Sequence, residues 1–101
     1  PPYVNDSLMP SKLKEYTAAN YKEGRKDLFA CFIMRGIDMI TEDGFNAMVT
    51  MQSWMFLASF QKFRKKLLNE TVIKTLLYMD NMVMGIAFGT VATVFSKNCK
   101  F

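Results

Sequence analysis

At 101 residues, half of them apolar and 22% charged, the chain is long enough for one hydrophobic core and too apolar to remain disordered. It contains no histidine, so the commonest general base near neutral pH and the commonest metal ligand are missing; on this reading it is not an enzyme, and no catalytic residue, metal or cofactor is expected. A formal net charge of +4 favours acidic surfaces but is too small to argue for nucleic acid, and aromatic and basic residues do not interleave in the manner of nucleic-acid binders.

Residues 1 to 10 hold all three prolines and the polar turn Asn5-Asp6-Ser7, which reads as an extended N-terminal arm. Ser11 is placed to cap a helix running to about Arg35, with Gly36 to end it and Gly24 to kink or split it midway. Within that stretch the apolar run from Leu28 to Met34 has helical flanks and reads as a buried helix rather than a buried strand. After a linker at Ile37 to Ile40, Thr41 is positioned to cap a second helix whose positive end Glu42 and Asp43 favour. Phe45, Val49, Phe56, Phe60, Phe63 and Leu67 then recur at spacings of three, four or their sum, an apolar stripe widened by Met48, Met51, Trp54 and Met55. Asn69-Glu70 breaks the pattern, and Thr71 is placed to cap a third helix reaching about Phe95. The expected fold is all-α: a single domain over 1–101, an up-down bundle of three long helices, the first kinked or split near Gly24.

Three features are candidates for function, of which the acidic pair Glu42 and Asp43 is better explained as charges at a helix start than as carboxylate chemistry. Lys62, Arg64, Lys65 and Lys66 put four cations within five positions, either favouring a helix C-terminus or forming a surface for an anionic partner. The run from Asn81 to Ser96 carries no charge but is shorter than the roughly 20 residues a spanning helix needs. It is either a buried helix or a segment that inserts when exposed, with Met82, Met84, Phe88 and Phe95 as its contact residues and Gly85 and Gly89 as a small-residue pair. Nine Met and nine Phe also suit an adaptable contact surface, although gap filling in a core uses the same residues.

Cys31 and Cys99 are the only cysteines, too few for a metal spacing or a redox motif. They form one disulfide if the protein is secreted and two free thiols if it is not. Secretion is the expectation, because the chain starts Pro-Pro-Tyr without a leader, as a processed product does, and carries glycosylation triplets at Asn5 and Asn69.

The middle of the chain resembles the abalone sperm lysin family of gastropod acrosomal proteins. The resemblance rests on Asp27-Leu28 through Arg35-Gly36, on Gly36-Ile37-Asp38-Met39-Ile40-Thr41, on Ala47-Met48 with Met51-Gln52-Ser53-Trp54, and on Lys65-Lys66-Leu67, in family order across residues 12 to 98. It implies a non-enzymatic helical bundle released at fertilization, closer to the member that promotes membrane fusion than to envelope-dissolving lysin, because arginines are few and net charge is small. The function expected is membrane perturbation at gamete contact, with an anionic membrane or an egg-surface protein as partner, no nucleic acid, and a homodimer through an apolar face. The alternatives are an interaction module offering a Met and Phe surface to a partner helix, and an envelope-dissolving protein.

Overall fold

The structure, a computed structural model, describes residues 1–80 and 89–97. Along them run helices α1 (Ser11–Asn20), α2 (Leu28–Met39) and α3 (Gln61–Glu70) and strands β1 (Phe45–Met51), β2 (Val72–Met79) and β3 (Thr90–Ser96). The strands form one antiparallel sheet in the order β1-β3-β2. This mixed α/β architecture replaces the expected all-α bundle.

The corrections have physical causes. A four-residue spacing suits one face of a helix, but it is also an even number, so Phe45 and Val49 share a face of strand β1 equally well. Asn46 and Thr50 turn to the opposite face and are buried. The expected third helix is instead two strands where it is described, because Thr90, Val91, Thr93 and Val94, like Val72 and Ile73, are β-branched and pack better on a pleated surface. Thr71 does not start a helix. Its hydroxyl donates to the Leu67 carbonyl at 2.6 Å and closes the end of α3.

The long first helix is broken in two. A tight turn at Lys22–Gly24 separates α1 from α2, and a Cβ on Gly24 would meet the Ala30 backbone and the Met34 sulfur at 3.0 Å. Asp27 restarts the helix, its carboxylate accepting from the Phe29 N–H at 3.3 Å. Gly36 does not end α2, which runs on to Met39; it is a point of close approach, where the buried Asn46 amide occupies the space a Cβ would take. Gly36→Ala is therefore expected to cost about 1–3 kcal/mol by overpacking. Urea unfolding checks this, and adding Asn46→Ser should recover part of the loss; equal stability of wild type and Gly36→Ala would contradict this packing.

One core follows from these placements. Phe29, Ile33 and Ile37 of α2 and Phe63 and Leu67 of α3 pack on Val91 and Phe95, which share one face of the central strand. Trp54, in a short helical turn at Gln52–Met55, fills the space between them, with ring centroids 5.9 Å from Phe63 and 6.2 Å from Phe95. Its indole N–H donates to Thr50 Oγ1 at 3.2 Å, which satisfies the one polar group it buries. The opposite sheet face is apolar too: register places Val49, Ala92 and Leu77 in one row and Ala47, Val94 and Thr75 in the next. Leu77 is 61% exposed there, so the described residues leave this face at least partly open.

Candidate functional site

Pro1 to Asp6 lie against the edge of the fold. A proline fixes its own backbone angle and, within a chain, offers a carbonyl without an N–H, so Pro2 is a rigid acceptor-only residue. Tyr3 follows it, and its hydroxyl donates to the Val49 carbonyl of β1 at 3.2 Å while its ring packs on Phe29 with centroids 5.8 Å apart. The next residues pair with the segment that starts α2: Asp6 N–H donates to the Lys26 carbonyl and Leu28 N–H to the Val4 carbonyl, both at 2.9 Å, with Asn5 bridged to Asp27.

Asp27 joins the two segments. The same carboxylate oxygen that caps α2 accepts from the Val4 N–H at 3.0 Å. Burial pushes this carboxyl above its ordinary value; N–H groups of Phe29, Val4 and Leu28 pull the other way, and the charge of Asp6 adds to the rise. The Tyr3 hydroxyl is also raised, first by burial and then by the Asp27 charge, so it stays a donor. Because the folded state holds the Asp27 proton more tightly than the unfolded chain, the contribution of this group is fullest below its ordinary value of 3.8 and declines as pH rises through the raised one. Asp27→Asn keeps the acceptor without the charge. Its unfolding free energy relative to wild type is expected to improve with rising pH across that window, whereas Asp27→Ala should lose about 1–2 kcal/mol through the missing cap. Denaturant titrations at several pH values compare them, and parallel curves for Asn and wild type would refute the assignment.

The residues singled out from sequence do not converge. Arg64 is turned inward, its Nη1 donating to the carbonyls of Trp54 at 2.8 Å and Leu57 at 2.7 Å, so it holds α3 to the preceding turns. Lys66 pairs with Glu70 at 2.9 Å, and that hydrogen bond leads the upward shift of its ammonium. Lys65 is exposed, and Lys62 faces a different recess with Lys22, Arg25 and Lys26. Phe95, expected at a contact surface, is fully buried in the core. Met82, Met84, Phe88 and Cys99 lie outside the described residues. Cys31 is a free, buried thiol donating to the Gly24 carbonyl at 3.4 Å, and burial pushes it up to about 11. Glu42 and Asp43 precede a strand rather than a helix. Tyr3 and Asp27 escaped the sequence reading, although Asp27, directly before an apolar helical run, is a residue type that caps helices.

Comparison with known proteins decides the family, since the Eco57I restriction-modification methylases match residues 1–83. The chain belongs to that family. It is 36% identical over 91 residues to the adenine-specific methyltransferase BrxX of Escherichia coli O9:H4 (strain HS), covering 90% of this chain and 8% of that protein. It is likewise 36% identical over 73 residues to the adenine-specific methyltransferase PglX of Lacticaseibacillus casei (strain Zhang), covering 72% of this chain and 6% of that protein. The chain thus spans less than a tenth of either relative's length.

Membership of a methylase family overturns the resemblance to sperm lysins, and with it the fertilization role, membrane perturbation, the egg-surface partner and the two alternatives. It also overturns the expectations of a non-enzyme and of no nucleic-acid partner, since the relatives are named methyltransferases and adenine is a nucleobase. No described helix is long and apolar enough to cross a membrane. The missing histidine misled because its absence counts against hydrolytic and zinc chemistry but not against every transferase. Displacement of a methyl group onto an amine nitrogen requires no imidazole base: positioning supplies much of the rate.

Proposed function

We propose that this chain is the base-receiving part of a longer adenine-specific DNA methyltransferase, with the Pro1–Val4 arm as the place where the target adenine docks. The observation that carries the reading is Tyr3, held by its hydroxyl on Val49 and by its ring on Phe29, directly after the acceptor-only Pro2.

An enzyme acting on a base within a duplex must extrude it, stack it on aromatic or apolar side chains and read its polar edge. Adenine presents an exocyclic amino group, a donor that a backbone carbonyl whose own peptide nitrogen bears no hydrogen complements. In this reading the Pro1 carbonyl, joined to the Pro2 nitrogen, accepts from that amino group and Tyr3 supports the ring. A donor held elsewhere in the protein would supply the methyl group. The nitrogen lone pair forms the new N–C bond as the donor–methyl bond breaks with its electron pair leaving on the donor, and the cationic nitrogen loses its proton to solvent. Asp27 is a positioning residue, tying the arm to α2 through Val4. The apolar sheet face that the described residues leave partly open suits burial against the rest of a longer protein.

Full-length protein incubated with duplex DNA and a methyl donor, followed by nucleoside digestion and mass spectrometry, tests the reading. Methylated adenine is the expected product; methylated cytosine alone, or no methylated base, would sink it.

A further inference from the structure

We propose that a basic recess beside the arm seats backbone phosphates of the DNA strand that carries the target adenine. This rests on the reading of the chain as part of a DNA methyltransferase, and it assigns cations that the arm itself does not use.

The recess, about 330 Å³, opens between the turn leading into α2 and the start of α3. Lys22, Arg25 and Lys26 line it from one side, and Ser59 and Lys62 from the other. Two carboxylates, Asp6 and Glu23, share the space, so four cations face two anions. Asp6 already engages Lys26 at 3.6 Å, whereas Lys22, Arg25 and Lys62 are exposed and form no ion pair among the described residues. Cations drawn from separate segments into one concavity, alongside a hydroxyl donor, match a phosphodiester, which presents negative oxygens and no donor.

Position favours nucleic acid over an acidic protein. Asp6, on the recess wall, is three residues from Tyr3 and hydrogen-bonded through its backbone to Lys26, so recess and arm are parts of one paired segment. A base docked on Tyr3 brings its flanking phosphates to this side of the fold. Such contacts fix register without reading sequence.

The test uses full-length protein and two duplexes, one with the methylation site and one without, with binding measured between 50 and 200 mM KCl. The double variant Arg25→Ala/Lys62→Ala is compared with Lys74→Ala, a cation on the far edge strand. Loss of two phosphate contacts should weaken binding to both duplexes alike and flatten the salt dependence by about one power of salt per contact. Lys74→Ala should match wild type. An unchanged slope and affinity in the double variant overturns the proposal, as does loss of polyglutamate binding with DNA binding intact, which reassigns the recess to an acidic protein. Methylation assayed in parallel separates the two claims. Wild type that methylates adenine while the double variant keeps its salt slope defeats only the recess; salt-dependent binding through the recess without methylated adenine defeats only the methylation reading.

Discussion

Tyr3→Ala in the full-length protein is expected to lower kcat/KM for adenine methylation by about 5- to 150-fold, equivalent to the 1–3 kcal/mol that stacking a base on an aromatic side chain supplies. The conservative Tyr3→Phe separates this role from a merely structural one. It keeps the ring beside Phe29 and removes only the hydroxyl that donates to Val49, a neutral hydrogen bond worth about 0.5–1.5 kcal/mol. Phenylalanine should therefore retain most of the activity, and tryptophan part of it. If phenylalanine loses as much as alanine, the hydroxyl rather than the ring matters; if alanine is as active as wild type, the arm does not receive the base.

The second large effect lies in the core. Phe63 is fully buried, edge-on to Trp54 at 5.9 Å and packed on Phe60 at 6.0 Å. Truncating such a side chain removes its transfer free energy and leaves a void among rigid rings, at a cost of about 3–5 kcal/mol. Phe63→Ala should lower stability by that amount in urea titrations, while Phe63→Leu, which refills most of the volume, should cost distinctly less. The consequence reaches beyond stability. α3 carries Lys62 at the recess and Arg64 on the Trp54 and Leu57 carbonyls, so a loosened α3 displaces both. A cost below about 1 kcal/mol would show that the aromatic cluster is not the centre of the fold.

What the sequence made legible follows from how unambiguous each pattern was. Five of the seven residues in the apolar run from Leu28 to Met34 are buried in α2, because a continuous apolar run with helical flanks has few other solutions. Residues 61–70 show their helix through Phe63 and Leu67, four apart on a charged background. Residues 45–51 fit helix and strand periods together, and only the β-branched Val49 and Thr50 favoured the strand. Residues 91–95 alternate between buried and half-buried, yet as part of an uncharged run beside glycines they read as a helix or an inserting segment. The cation cluster at 62–66 is close in sequence and dispersed in space, since each helical residue turns by about 100° from the last. The recess drew Lys62 to partners some forty residues earlier, a pairing that spacing alone does not reveal. The arm was hardest to see. Two prolines and a tyrosine look like a connector until Val49 and Asp27 are shown to hold them.

The most direct test of the arm as the docking place is photocrosslinking of full-length protein to duplex DNA in which 5-iodouracil replaces the target adenine. The adduct peptide is expected to contain Tyr3, with crosslinking lost in Tyr3→Ala. An adduct formed efficiently on residues outside this chain, with the yield unchanged by Tyr3→Ala, would contradict the account.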